Sequence, residues 1–374
     1  MNHTTEGQLG EVSNTILSDI SERGTGLTKP RMEALSNLIS CALYTQSCNS
    51  YEWINVLPRA IQDASKESYI YRFLSNKKVD VSKVMRSYIL DIVENNCSSG
   101  ETLILMIDQS KICANHEVLM VSISVGERAL PLLWLVKNTK GSIGFADQKQ
   151  LLDKITLLLP DDIKVLLAGD RFYGTSALVN WCKKQGWQYR IRLKGNLIFK
   201  HEGGEITGNY AADMQLKCLK NVTFNSTDIN TNIGILHEKG HKEAWIIAMD
   251  CQPNKYKVLD YALRWGIEPM FSDFKSRGFS ITDTKYSNEK SLESLILVLS
   301  LAMYWAVSTG MYGSADGENL VQQSNKTVKK LRRSALSFFK KGLRIIRRIF
   351  LNAREIMPCL WKKWRTDTLR EAFL

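Results

Sequence analysis

The hydrophobic positions of this chain change their period twice. Between 31 and 48, directly after Pro30, apolar residues recur at helical spacing. Shorter helical stretches follow at 67–74 and 81–93, separated by serine, asparagine and lysine. From Glu101 the period falls to two. The run 102–108, T-L-I-L-M-I-D, is short, apolar and ends in an acid, and 118–125 and 130–136 read as further strands. Their tight spacing predicts an antiparallel meander. An amphipathic helix is then predicted over 146–159, a buried strand ending in a second acid over 164–170, a helix over 174–185 and a strand over 189–194. Three strands followed by helix, strand, helix and strand predict an α/β fold built on a mixed sheet.

Residues 197 to about 255 break this rhythm. They are polar, with short alternating runs at 221–225 and 244–250, and predict a β-rich insertion. The longest apolar run, 295–307, is shorter than a bilayer crossing needs and reads as a buried core helix. A chain of 374 residues holds two or three domains on this reading. The first, 1–100, is helical and reads as a DNA-binding module or, equally well, as a plain packing domain, since nothing in it fixes a helix-turn-helix. The second, 101–310, is the α/β body with its insertion at about 197–255. The third, 311–374, is a basic helical region.

Charge sharpens the last of these. The net charge is +12, and residues 326–374 carry all of it, with fifteen Lys and Arg against Glu355, Asp367 and Glu371. Basic pairs alternate there with apolar residues at helical spacing. Such a segment attracts a polyanion through counterion release, and nucleic acid is the expected partner. An anionic membrane surface is the alternative, and no other feature calls for a membrane. Eight cysteines are scattered without a C-x-x-C pair, which supports neither a zinc ribbon nor a disulfide framework and suits reduced thiols in a cytoplasmic protein.

The chemistry concentrates in Y-A-L-R-W-G-I-E-P-M-F-S-D-F-K, residues 261–275. At about 100° per residue, Tyr261, Arg264, Glu268 and Lys275 share a sector of roughly 60° if the helix is continuous. A carboxylate flanked by two cations and a phenol suits a metal ion beside a phosphate backbone. A solvated face with an Arg264–Glu268 pair is the bland alternative. Pro269 and Gly266 threaten the continuity, so a kink there turns Lys275 off the shared face. Asp108 and Asp170 stand where predicted strands run out, on strands expected to be neighbours, and ligand sites gather at that edge of α/β sheets. With Glu268 they form a set of hard oxygen donors for two Mg²⁺ or Mn²⁺ ions, held about 4 Å apart for in-line displacement at phosphorus.

A competing motif is the literal H-E-x-x-H of His237, Glu238 and His241. A zinc protease needs this motif on a helix. Here Gly240 interrupts it and β-like runs flank it, so a metalloprotease is the remote alternative.

With these residues in place, the chain resembles the DDE transposases of bacterial insertion sequences, specifically the insertion sequence four group. Tyr261, Arg264, Glu268 and Lys275 match its Y-x2-R-x3-E-x6-K motif. Gly169, Asp170, Arg171 and Tyr173 match its G-D-R-x-Y-like strand end, and Asp108 matches its first acid. The resemblance implies a ribonuclease H-like fold and a cut-and-paste transposase. Asp108, Asp170 and Glu268 would be the catalytic metal ligands, with two Mg²⁺ or Mn²⁺ ions. Tyr261, Arg264 and Lys275 would hold DNA phosphates, and Trp245 would stack a flipped base in a hairpin intermediate. Arg171 belongs to the same strand-end motif and is expected to contact DNA. Arg190 and Arg192, alternating on one strand face, are expected backbone contacts, with surface solubility the alternative. Double-stranded DNA is the implied partner, a homodimer the implied synaptic state, and the bacterial nucleoid in the cytoplasm the implied location. A DNA-binding relative without catalysis is the remaining reading, against which the three acids argue.

Overall fold

The computed structural model describes residues 2–96, 101–125, 128–202, 204–207, 216–224, 227–237, 243–322, 336–352 and 354–356. The chain separates into a helical unit, formed by 1–96, 111–116 and the described part of 271–365, and a sheet unit formed by 97–110 and 117–270.

The helical unit contains α1 (Asn2–Glu22), α2 (Lys29–Thr45), α3 (Ser50–Val56), α4 (Asp63–Leu74), α5 (Val81–Asn96), α10 (Glu289–Gln322) and α11 (Phe338–Asn352). Pro30 sits in the first turn of α2, where its missing amide costs nothing, and Gln46 closes that helix in the left-handed region. The apolar run at 295–307 lies inside α10. The stretch 289–312 is long and apolar enough to cross a bilayer, but its residues 294–311 are all buried, as the central helix of this unit. α2, α4, α5 and α11 pack around it.

The predicted basic tail is in part a core element. α11 buries Phe339, Leu343, Ile346, Ile349 and Phe350 and leaves Arg344, Arg347 and Arg348 exposed. Its apolar face is therefore used up in packing, which removes the reason for it to lie on a membrane. Gly310 of α10 and Gly342 of α11 allow the close crossing: a methyl on Gly342 would overlap the carbonyl oxygen of Ala306. Residues 326–335 and 357–374 of the basic stretch lie outside the described residues.

The sheet unit is built from β1 (Thr102–Cys113), β2 (His116–Val125), β3 (Arg128–Asn138), α6 (Phe145–Thr156), β4 (Lys164–Gly169), α7 (Ser176–Lys184), β5 (Gln188–Arg192), β6 (Ile198–His201), β7 (Gly204–Thr207), β8 (Lys217–Phe224), β9 (Asn230–Leu236) and β10 (Trp245–Met249). Among the described residues these strands form one sheet in the order β3-β2-β1-β4-β5-β10-β9-β8-β6-β7. The two-residue connection between β1 and β2 permits only antiparallel pairing. β4 runs parallel to β1, and β5 parallel to β4 across the crossover helix α7. The architecture is a mixed α/β sheet.

The predicted insertion is not a separate layer. β10 pairs antiparallel with β5, so β6 to β10 extend the same sheet. The short segment α8 (Lys255–Leu259), a 3-10 stretch Asp260–Gly266 and α9 (Ile267–Phe274) follow it.

Candidate active site

Two neighbouring parallel strands position two aspartates. The last register pair of β1 and β4 is Ile107 with Gly169, so Asp108 and Asp170 are the next residues on each chain. Asp170 stands just past the end of β4, as its sequence suggested. Asp108 does not end its strand. β1 runs on to Cys113, because its hairpin partner β2 continues alongside after β4 has stopped.

Local hydrogen bonds fix both side chains. Asp170 Oδ1 accepts from the amide of Phe172 at 2.8 Å and shapes the turn that leaves the strand. Gly174 lets this turn lie flat on β5, since a methyl there would come within 2.6 Å of the Arg192 carbonyl oxygen. Asp108 Oδ1 accepts from the amide of Gln109 at 2.9 Å. The Gln109 side chain in turn ties down the loop ahead of α6 through Gly141 and Ile143.

The segment carrying the other predicted residues is not one helix. The 3-10 stretch Asp260–Gly266 gives way to α9 at Ile267. Gly266 sits at the junction because the backbone of Arg128 approaches it, and a methyl would meet that chain at 3.0 Å. Pro269 falls in the first turn of α9, where no amide donor is needed, and is not the break. Tyr261, Arg264 and Glu268 nevertheless meet. Arg264 Nε donates to the Tyr261 hydroxyl at 3.1 Å, Nη1 reaches Asp108 Oδ2 at 3.1 Å and Nη2 reaches Glu268 Oε1 at 3.0 Å. One buried guanidinium thus joins the first predicted acid to the third. Lys275 lies past the end of α9, in the helical unit, where its carbonyl accepts from the amide of Ser280.

Burial pushes the Asp108 carboxyl up to about 6, against the pull of Arg264, with Asp170 and Glu268 adding repulsion. Burial also raises the Tyr261 phenol, despite Arg264 and Arg192. Tyr173, named in the strand-end motif but given no role from sequence, is fully buried. Among the described residues its hydroxyl has no hydrogen-bond partner, and burial together with Asp108 and Asp170 holds its phenol well up.

No group of three His, Cys, Asp or Glu gathers at metal-holding distance among the described residues, since Arg264 lies between Asp108 and Glu268. The donor chemistry still fits a hard divalent cation. All three acids offer carboxylate oxygens, and the cost of burying the Asp108 charge is only partly offset by Arg264.

The remaining predicted residues divide. Arg190 is buried, with 1 % of its surface exposed, unlike the accessible strand-face position expected of a DNA contact. Its guanidinium is taken up by Asp250 at 2.7 Å, by the carbonyl oxygens of Tyr189 and Lys257, and by Asp260 at 3.6 Å. Arg171 and Arg192 are accessible, and both pair with Glu243, at 3.3 and 2.9 Å. Trp245 is half-buried, edge-on to Tyr261 at 5.2 Å and to Trp265 at 6.3 Å. Trp265, beside Arg264, presents about half of its surface to solvent and escaped the sequence reading. The H-E-x-x-H stretch spans the connection from β9 to β10. His237 directly follows β9, and 238–242 lie outside the described residues.

Residues 136–305 match the family model described as Transposase DDE domain. That interval takes in Asp170, Tyr261, Arg264, Glu268 and Lys275, while Asp108 precedes it. The match supports a DDE transposase, a class of DNA-acting nucleases and strand transferases that generally use divalent metal ions. No curated protein matches the chain.

Proposed function

We propose that this chain is a cut-and-paste transposase of the insertion sequence four group, with a ribonuclease H-like catalytic sheet. The observation that carries the reading is the joining of Asp108, beside Asp170 in the parallel register, to Glu268 through Arg264. The strand order β3-β2-β1-β4-β5, with β1, β4 and β5 parallel, supports the fold assignment.

Asp108, Asp170 and Glu268 would hold two Mg²⁺ or Mn²⁺ ions. Divalent cations held there would supply activation of a water and neutralisation of the charge that develops at the phosphorus as its leaving oxygen departs. The chain's own residues set the geometry. Glu268 is the accessible carboxylate of the three, and Arg264 aligns it with Asp108. Tyr261 orients the guanidinium from its third side. The proposed reaction opens a phosphodiester at the element's end with water, releasing a 3′-hydroxyl. That hydroxyl attacks the opposite strand to form a hairpin, and after reopening it joins target DNA. Trp245 is the residue implied for base stacking, and the exposed neighbouring ring of Trp265 extends the same aromatic surface. Lys275 is retained as a proposed phosphate contact, and the homodimer as the proposed synaptic state. The exposed arginines of α11 and the helices of the first hundred residues are proposed to hold DNA outside the site.

The test is incubation of the protein with Mg²⁺ and DNA carrying the ends that flank its gene. Nicks, hairpins and joined products are expected, and Asp108→Ala, Asp170→Ala and Glu268→Ala should each abolish them. Cleavage that survives all three substitutions overturns the active site; DNA binding without cleavage by the unaltered chain favours a non-catalytic relative.

A further inference from the structure

Arg171 and Arg192 come from different elements and converge on one carboxylate. Arg171 directly follows Asp170 in the turn after β4, and Arg192 ends β5. Glu243, two residues ahead of β10, receives Arg171 Nη1 at 3.3 Å and Arg192 Nη2 at 2.9 Å. Two guanidinium groups against one carboxylate leave a surplus positive charge at a point beside the proposed acids. Lys194, two residues beyond Arg192 and exposed, adds to that charge, and its ammonium lies 5.6 Å from the centre of the exposed Phe172 ring. Arg192 is also near enough to act electrostatically on Tyr261.

The carboxylate is poorly anchored. Glu243 is 60 % exposed and Arg171 50 %, and exposed ion pairs of this kind contribute little stability. A phosphodiester carries the same charge as Glu243 on two non-bridging oxygens, and guanidinium forks bind that group in the same geometry as a carboxylate.

We propose that Arg171 and Arg192 form a phosphodiester-binding subsite of the DNA path, and that Glu243 is its built-in stand-in, displaced when a DNA phosphate arrives. The carboxylate holds the two arginines in their binding arrangement and screens them from adventitious anions. The inference rests on the DNA-processing function proposed above. It differs from a plain basic patch in one respect: removing Glu243 must act through these two arginines and not through net charge alone.

The experiment is fluorescence anisotropy of a short duplex DNA titrated with the full chain in metal-free buffer, over a series of salt concentrations. Glu243→Gln should tighten binding about fivefold, with a steeper salt dependence. Asp161→Asn, which removes one exposed negative charge elsewhere on the sheet unit, should change it less than twofold. Adding Arg171→Ala and Arg192→Ala to Glu243→Gln should erase the gain. The proposal is overturned if Glu243→Gln leaves affinity unchanged or weaker, if Asp161→Asn gives the same gain, or if the gain survives loss of both arginines. Anisotropy reads binding and not cleavage. A chain that binds DNA without cutting it therefore still tests the subsite, and the failure of one reading is distinguishable from the failure of the other.

Discussion

Arg264 Nη1 lies 3.1 Å from Asp108 Oδ2, and it is the nearest cation to a carboxyl that burial has already pushed up to about 6. The pair sets the sign of a simple test. Without the guanidinium, an ionised Asp108 is left buried and uncompensated, so Arg264→Ala should cost about 3 kcal/mol of stability at pH 8. At pH 5 the Asp108 carboxyl takes up a proton and most of that cost disappears. Urea denaturation of both proteins at the two pH values measures this; an equal loss at pH 5 and pH 8 would mean that Arg264 acts by packing.

Asp108 itself should show the reverse dependence. Its folded pKa of about 6 exceeds the ordinary carboxyl value of 3.8. Below 3.8 it is protonated in both states and has no effect. From 3.8 to 6 the unfolded chain gives up this proton while the folded chain keeps it, so stability falls with rising pH, and above 6 the cost is complete, about 3 kcal/mol for a shift of this size. Asp108→Asn removes that dependence. Its stability relative to the unaltered chain should therefore be about 3 kcal/mol more favourable at pH 8 than at pH 3.5. The same ionisation governs catalysis with the opposite sign, because a metal ligand must be deprotonated. Cleavage and Mn²⁺ binding by the unaltered chain should rise through about pH 6 and level off above it.

The two arginines of β5 should part company. Arg190 is held by Asp250, Asp260 and two backbone carbonyls, so Arg190→Ala empties a buried site and leaves those acceptors without their donor, and should destabilise by about 2–4 kcal/mol. Arg192→Ala should change stability by less than about 1 kcal/mol. Instead it should lower the slope of log affinity for DNA against log salt by about 0.9. Thermal unfolding and a salt series separate the two; a normal melting curve for Arg190→Ala would refute its structural role.

That division marks where the sequence stops being readable. Alternation along β5 says that Arg190 and Arg192 share a face, but not that the segment after β10 covers one end of that face and leaves the other open. Arg264 and Glu268 were legible because a spacing of four survives the change from 3-10 to α-helix between them. Asp170 was legible because the apolar strand stops beside it. Asp108 was recognisable as a residue but misplaced as a strand end, since the length of β1 is set by its pairing with β2 and not by its own apolar run. α1 falls in a region read as helical but had no bounds of its own, because its first turns are threonine, glutamate and glycine, although Leu9, Val12, Ile16 and Ile20 are buried at helical spacing. Glu243 carried no local signal: its partners are 51 and 72 residues away.

The basic segment gives the last prediction, because α11 combines two roles on opposite faces. One face is fixed by sterics. A methyl on Gly342 would overlap the Ala306 carbonyl oxygen and one on Gly310 that of Phe338, both backbone atoms that cannot turn aside. Gly342→Ala must therefore prise α11 from α10 and should cost upwards of about 3 kcal/mol. The other face carries Arg344, Arg347 and Arg348 in solvent. Exchanging all three for serine disturbs no buried packing and should leave stability within about 1 kcal/mol. If that face lies along DNA, the same exchange should lower the salt slope of binding by up to about 2.7, or 0.9 for each phosphate no longer neutralised. An unchanged slope would confine the DNA-binding role of the basic segment to residues outside α11, and would leave α11 as a packing helix whose charge serves only to keep its outer face in water.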